Sequence, residues 1–153
     1  MPAILPRFGA MLRAVTPLVR RYVKTSFIFL VAGMLLGGYA TIEVNVRGRG
    51  VPWPLITAHV HLLLVGFVLM LIFGVATWMF PRPARDDARY RPRLAEAVYW
   101  VMTLSTAARA AAEIFAPYSG APALRVVITL GGLGQLAGAA LFVFNMWSRI
   151  RMP

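Results

Sequence analysis

One stretch, residues 54–81, decides more than any other what this chain can fold into. It is bounded by Pro54 and Pro81 and carries no charged side chain, only the ionisable His59 and His61, the two histidines of the whole sequence. A helix of about 20 apolar residues spans a hydrocarbon core of roughly 30 Å, so this run reads as a membrane span. An ionisable side chain inside such a span is costly and marks a functional position. Successive helical residues are turned by about 100°, so positions i and i+2 lie about 200° apart. His59 and His61 therefore point to nearly opposite faces, and one helix offers a ligand to each of two neighbouring sites.

The rest of the chain has the same character. Of its 153 residues, 59% are hydrophobic, and mean hydropathy is +0.71, more apolar than a water-soluble domain requires. The expected fold is an all-α integral membrane protein with four transmembrane helices and a basic N-terminal interfacial segment. That segment is 1–23, and the spans lie at about 25–44, 54–80, 94–116 and 123–147. Arg7, Arg13 and Arg20 interrupt its apolar residues and no small-residue cleavage site follows, so residues 1–23 read as a surface segment rather than a signal peptide. Span 1 holds Gly33 and Gly37 in small-xxx-small spacing, with Gly38 beside them. Span 4 holds Gly131, Gly132, Gly134 and Gly138. Both sets read as devices for close helix packing. Trp53 and Trp78 mark the two ends of the histidine span. A turn at 117–122 joins spans 3 and 4.

The net charge of +11 does not point to nucleic acid, because the basic residues flank the apolar runs, where they set topology and meet anionic lipid. Arg7, Arg13, Arg20, Arg21 and Lys24 precede span 1. Arg82, Arg85, Arg89, Arg91 and Arg93 fill the loop between spans 2 and 3, and Arg149 and Arg151 follow span 4. On the other side stand Arg47 and Arg49, with Arg125 at the mouth of span 4. This bias puts both termini in the cytoplasm. The histidines then lie one to two turns below the outer surface. A multi-pass protein of the bacterial or archaeal cytoplasmic (inner) membrane is expected.

The sequence has no cysteine. That excludes iron–sulfur clusters, Cys-ligated zinc and covalent haem attachment. Neutral imidazole remains, and it is a strong axial ligand for haem iron. An H-x-H pair on a helix chelates one small ion poorly, because its rings diverge. It suits two large flat groups on opposite sides, or two contacts across an oligomer interface. A histidine in a span can also simply hydrogen-bond a neighbouring helix.

The motif Thr57-Ala-His-Val-His61, followed by Gly66, Gly74 and Trp78-Met-Phe-Pro81, resembles the catalytic subunit (subunit I) of haem–copper oxidases and nitric-oxide reductases. Two helices of that subunit are matched at once. Thr57-Ala-His59 with Trp78 to Pro81 resembles the helix whose T-A-H histidine binds the low-spin haem. Ala58-His59-Val-His61 with Gly74 and Phe80-Pro81 resembles the A-H-x-H helix, which serves both haems. The resemblance implies haem b as cofactor, with copper possible, and His59 and His61 as iron ligands. The chain departs from the family in having four expected spans rather than twelve, and in lacking the copper-binding histidines and the tyrosine that follows them. Two histidines cannot complete a haem–copper centre in one copy. The family's subunit arranges its helices in three arcs of four, which three copies of this chain would imitate. His59 of one copy and His61 of the next would then clamp one haem at each interface, a homotrimer being favoured over a dimer.

Arg109 and Glu113 stand i and i+4 on span 3, share a face and can pair. Two readings are equally open: a structural ion pair between helices, or Arg109 on a haem propionate with Arg125 or Arg47 assisting. The function expected is electron transfer, from a donor the sequence does not name, through a bis-His haem shared between subunits. Two alternatives remain. One is a haem protein, with or without copper, that binds or reduces nitric oxide or oxygen. The other is a small structural membrane subunit.

Overall fold

The computed structural model describes residues 16–80, 91–147 and 149–150, and these form four helices. Helix α1 is Pro17–Asn45, α2 is Trp53–Met79, α3 is Pro92–Ser119 and α4 is Pro122–Trp147. Proline opens α1 and α3 at a position where its missing N–H has no partner to lose. Gly120, at φ +61°, ends α3 in the left-handed conformation that glycine adopts without strain.

Three helices, α1, α2 and α4, are long and apolar enough to cross a membrane. Each carries large apolar side chains outward, among them Leu35 on α1, Leu64 on α2 and Leu136 on α4. A surface so apolar suits lipid or a neighbouring helix rather than water. The chain is a multi-pass helical membrane protein. The fourth helix, α3, is 28 residues long, but Glu96, Arg109 and Glu113 lower its apolarity.

Several boundaries differ from the sequence expectation. Residues 1–15 of the expected surface segment lie outside the described residues, as do 81–90 of the loop between α2 and α3. Residues 17–23 are the first turns of α1, which therefore starts earlier than expected. Helix α3 continues through Pro117 to Ser119 instead of turning there. Proline this close to a C-terminus removes only the bond to the Glu113 carbonyl, one turn before the helix ends. In the middle of α2, Leu62–Leu69 is π-helical, directly after His61.

Each helix packs mainly on its neighbour in sequence. Glycines set how closely. A Cβ on Gly33 would stand 2.6 Å from Leu63, on Gly66 2.7 Å from Phe29 and on Gly74 2.8 Å from Tyr22, so side chains of α1 and α2 rest directly on each other's glycine backbone. Gly131, Gly134 and Gly138 do the same for α4 against Arg109, Ser105 and Met102 of α3. The expected packing role holds for Gly33 and for Gly131, Gly134 and Gly138, whereas a Cβ on Gly38 would have nothing within 4 Å. The end of the bundle farther from the histidines is also tied across. Phe73 and Phe142 stack at 3.6 Å, Tyr22 meets Tyr99 edge-on, and Thr25 and Tyr99 share a hydrogen bond of 2.8 Å. Arg149 donates to the carbonyl oxygens of Phe80 and Thr77, at 2.8 and 3.4 Å, and so closes the C-terminal end of α2.

Candidate functional site

The first two turns of α2 place the histidines. His59 turns toward α1 and His61 toward α3, the divergence that their spacing requires. Nδ1 of His59 lies 2.9 Å from the Gly33 carbonyl oxygen, and its ring rests on Gly37, where a Cβ would stand 2.6 Å from Cε1. Only glycine leaves room for the imidazole there. Nδ1 of His61 lies 2.8 Å from the carbonyl oxygen of Thr57, one turn back on its own helix. A carbonyl only accepts, so in both rings Nδ1 is the donor and Nε2 keeps its lone pair. That is the tautomer in which a histidine binds a metal through Nε2, with its other nitrogen held by a second group.

Beside His61 lies a polar chain enclosed by apolar helices. Glu113 is 2% exposed, and its Oε2 is 3.6 Å from His61 Nδ1, beyond hydrogen-bond range. Its Oε1 accepts from Arg109 Nε at 2.9 Å. Arg109 Nη1 donates to Gln135 Oε1 at 3.1 Å, and Gln135 Nε2 donates to the Thr106 hydroxyl at 3.2 Å. Gly131 and Gly132 of α4 lie against the Arg109 side chain and leave it space. The two charges of this buried pair offset each other, and Arg109 is held further by its neutral bond to Gln135, whereas Oε2 of Glu113 has no hydrogen-bond partner among the described residues. The i, i+4 pairing of Arg109 with Glu113 was legible from spacing. The reach of Gln135 across to α3, and of Glu113 to His61, was not, because both depend on how α3 is rotated against its neighbours.

The other two expected site residues stand apart. Arg47 pairs with Glu43 one turn earlier on α1, and Arg49 adds a longer contact of 3.9 Å to the same carboxylate. Arg125 is exposed in the first turn of α4. Among the described residues neither is joined to a histidine or to Arg109 by a hydrogen bond or ion pair. Nor do the described residues contain a group of three or more His, Asp or Glu side chains able to hold a metal ion. Among the described residues the two imidazoles stand apart on opposite sides of α2, as axial ligands of two different haem irons would.

The family model for cytochrome c and quinol oxidase polypeptide I matches residues 17–153. No curated protein and no solved structure matches the chain.

Proposed function

The chain belongs to the cytochrome c and quinol oxidase polypeptide I family, and from that membership we propose that it is a b-type haem protein of the bacterial or archaeal cytoplasmic membrane. It carries electrons through iron held by His59 and His61. The family and the apolar helices make it a haem–copper oxidase-like membrane protein. The observation that carries the finer reading is the hydrogen bonding of the two imidazoles. Each has Nδ1 tied to a backbone carbonyl, which leaves Nε2 as a ready ligand on opposite faces of one helix. Bound there, haem would supply a one-electron iron couple. The residues of the chain contribute two neutral ligands, an apolar surround, and in Arg109 a cation at the depth of the site.

In this reading all four helices cross the membrane. Helix α3 is about 40 Å long at 1.5 Å per residue, and its Arg109–Glu113 pair is turned inward, which removes the main objection to its crossing. Diverging rings on one helix cannot serve the same iron, so two copies share each haem, and a ring of three is favoured.

The test is an absorption spectrum of the full chain in detergent, oxidised and dithionite-reduced, with metal analysis. A low-spin haem b spectrum that carbon monoxide does not perturb is expected, because a bis-His iron has no open position. A spectrum that carbon monoxide shifts would indicate an open site and a gas-binding protein. No haem in well-folded protein would leave the structural-subunit reading.

A further inference from the structure

The two carboxylate oxygens of Glu113 are in different situations. Oε1 is engaged by Arg109. Oε2 is buried, makes no hydrogen bond among the described residues, and faces Nδ1 of His61 at 3.6 Å. Buried carboxylate oxygens without a donor are rare, and each calls for a reason. The arrangement that holds this one is elaborate for a simple ion pair. Thr106 fixes Gln135, Gln135 fixes Arg109, and Arg109 fixes Glu113. The unsatisfied oxygen is held toward His61.

Nδ1–H of His61 donates to the Thr57 carbonyl oxygen at 2.8 Å, and Oε2 of Glu113 stands 3.6 Å from the same nitrogen. His59 has a neutral carbonyl acceptor, Gly33, and no carboxylate contact is recorded for it among the described residues. The two imidazoles are thus chemically unequal.

We propose that Glu113 is a positioning residue for His61. It fixes the ring about its Cβ–Cγ bond and polarises the Nδ1–H group toward a carboxylate. Nε2 of His61 becomes the more electron-donating of the two candidate ligands. The contact stands on geometry alone, whereas its redox consequence rests on the haem reading above. A more basic axial ligand stabilises oxidised iron, so Glu113 lowers the midpoint potential of a haem held by His61.

Two variants of the full chain test this. Glu113→Gln removes the carboxylate but also one negative charge, which by itself raises a nearby potential. Arg109→Met/Glu113→Met removes one charge of each sign, so what remains is the effect of the Glu113–His61 contact. With only two histidines in the chain, isotope labelling of the imidazole nitrogens gives two ring systems by magnetic resonance, assigned with His59→Gln. The expected result is that both variants move the His61 Nδ1 resonance and leave that of His59 in place. In haem-loaded protein both are expected to raise the midpoint potential. A His61 resonance unmoved in the double variant overturns the proposal, as does a double-variant potential equal to that of the unaltered chain. Failure of the haem reading looks different. The unaltered chain would then show no haem absorbance, while the nitrogen resonances would still report on Glu113 and His61.

Discussion

At His59 and His61 the backbone decides which ring nitrogen is left for chemistry, and a glycine decides whether one ring can lie where it does. Gly37 accepts the His59 imidazole against bare backbone. A methyl group there would stand 2.6 Å from Cε1 and turn the ring away from the Gly33 carbonyl. Overpacking of this kind costs about 1–3 kcal/mol. Gly37→Ala is therefore expected to lower the haem-to-protein ratio measured on purified protein. Gly38→Ala is expected to leave it unchanged, since nothing lies within 4 Å of a Cβ at that position. Arg109 sets a second expectation. Arg109→Leu strands the Glu113 carboxylate at 2% exposure, a loss of about 3–5 kcal/mol for a buried pair broken on one side. Thermal unfolding in detergent should show it, and Arg109→Met/Glu113→Met should recover most of it. Haem retention by that folded double variant then reads separately whether a propionate needs the guanidinium. The spacing of the sequence was enough to place the histidines on opposite faces and to pair Arg109 with Glu113. It could not show that Gly37 seats a ring, because that depends on which turn of α1 lies opposite His59.

At the scale of helices, composition revealed the elements and left their ends uncertain. Pro17, in the expected surface segment, and Pro117, in the expected turn, are inside helices, one at a start and one near an end, where the missing N–H matters least. The π-helical Leu62–Leu69 was not legible at all. An uncharged apolar run such as residues 62–69 looks the same with either hydrogen-bond register, and Phe29 pressed on Gly66 is a tertiary contact. The glycines of α4 were legible as a packing face, and the structure ranks them. A Cβ on Gly131 meets Arg109 Cβ at 2.6 Å and the Ser105 carbonyl oxygen at 3.0 Å, so backbone must move. A Cβ on Gly132 meets only the far end of the Arg109 side chain, with the nearest atom at 3.0 Å. Gly131→Ala is expected to separate α3 from α4 and to lower the thermal midpoint by the equivalent of about 1–3 kcal/mol. Gly132→Ala should cost much less.

For the whole molecule, what matters is what four helices leave incomplete. Each packs mainly on its neighbour in sequence, and cross-ties such as Phe73 on Phe142 gather at the end away from the histidines. If the basic bias sets the orientation, reporter fusions after Arg85 and at the C-terminus should report cytoplasm and one at Gly50 should not. A cytoplasmic signal at Gly50 would refute that topology. Oligomerisation gives the sharper test. In the proposed shared site His59 of one copy would face His61 of another, so each copy would carry one donor of each kind and the contacts would close into a ring. Haem bridging copies in this way would also stabilise the ring, so removing it should lower the mass measured by light scattering. His59→Ala and His61→Ala should each abolish the low-spin spectrum. Co-expressed, the two variants should regain part of it, because some interfaces then join an intact His59 to an intact His61. Mixed oligomers that assemble yet bind no haem would rule out the shared site. Loss of haem from only one of the two single variants would mean that the iron has another second ligand, or an open position.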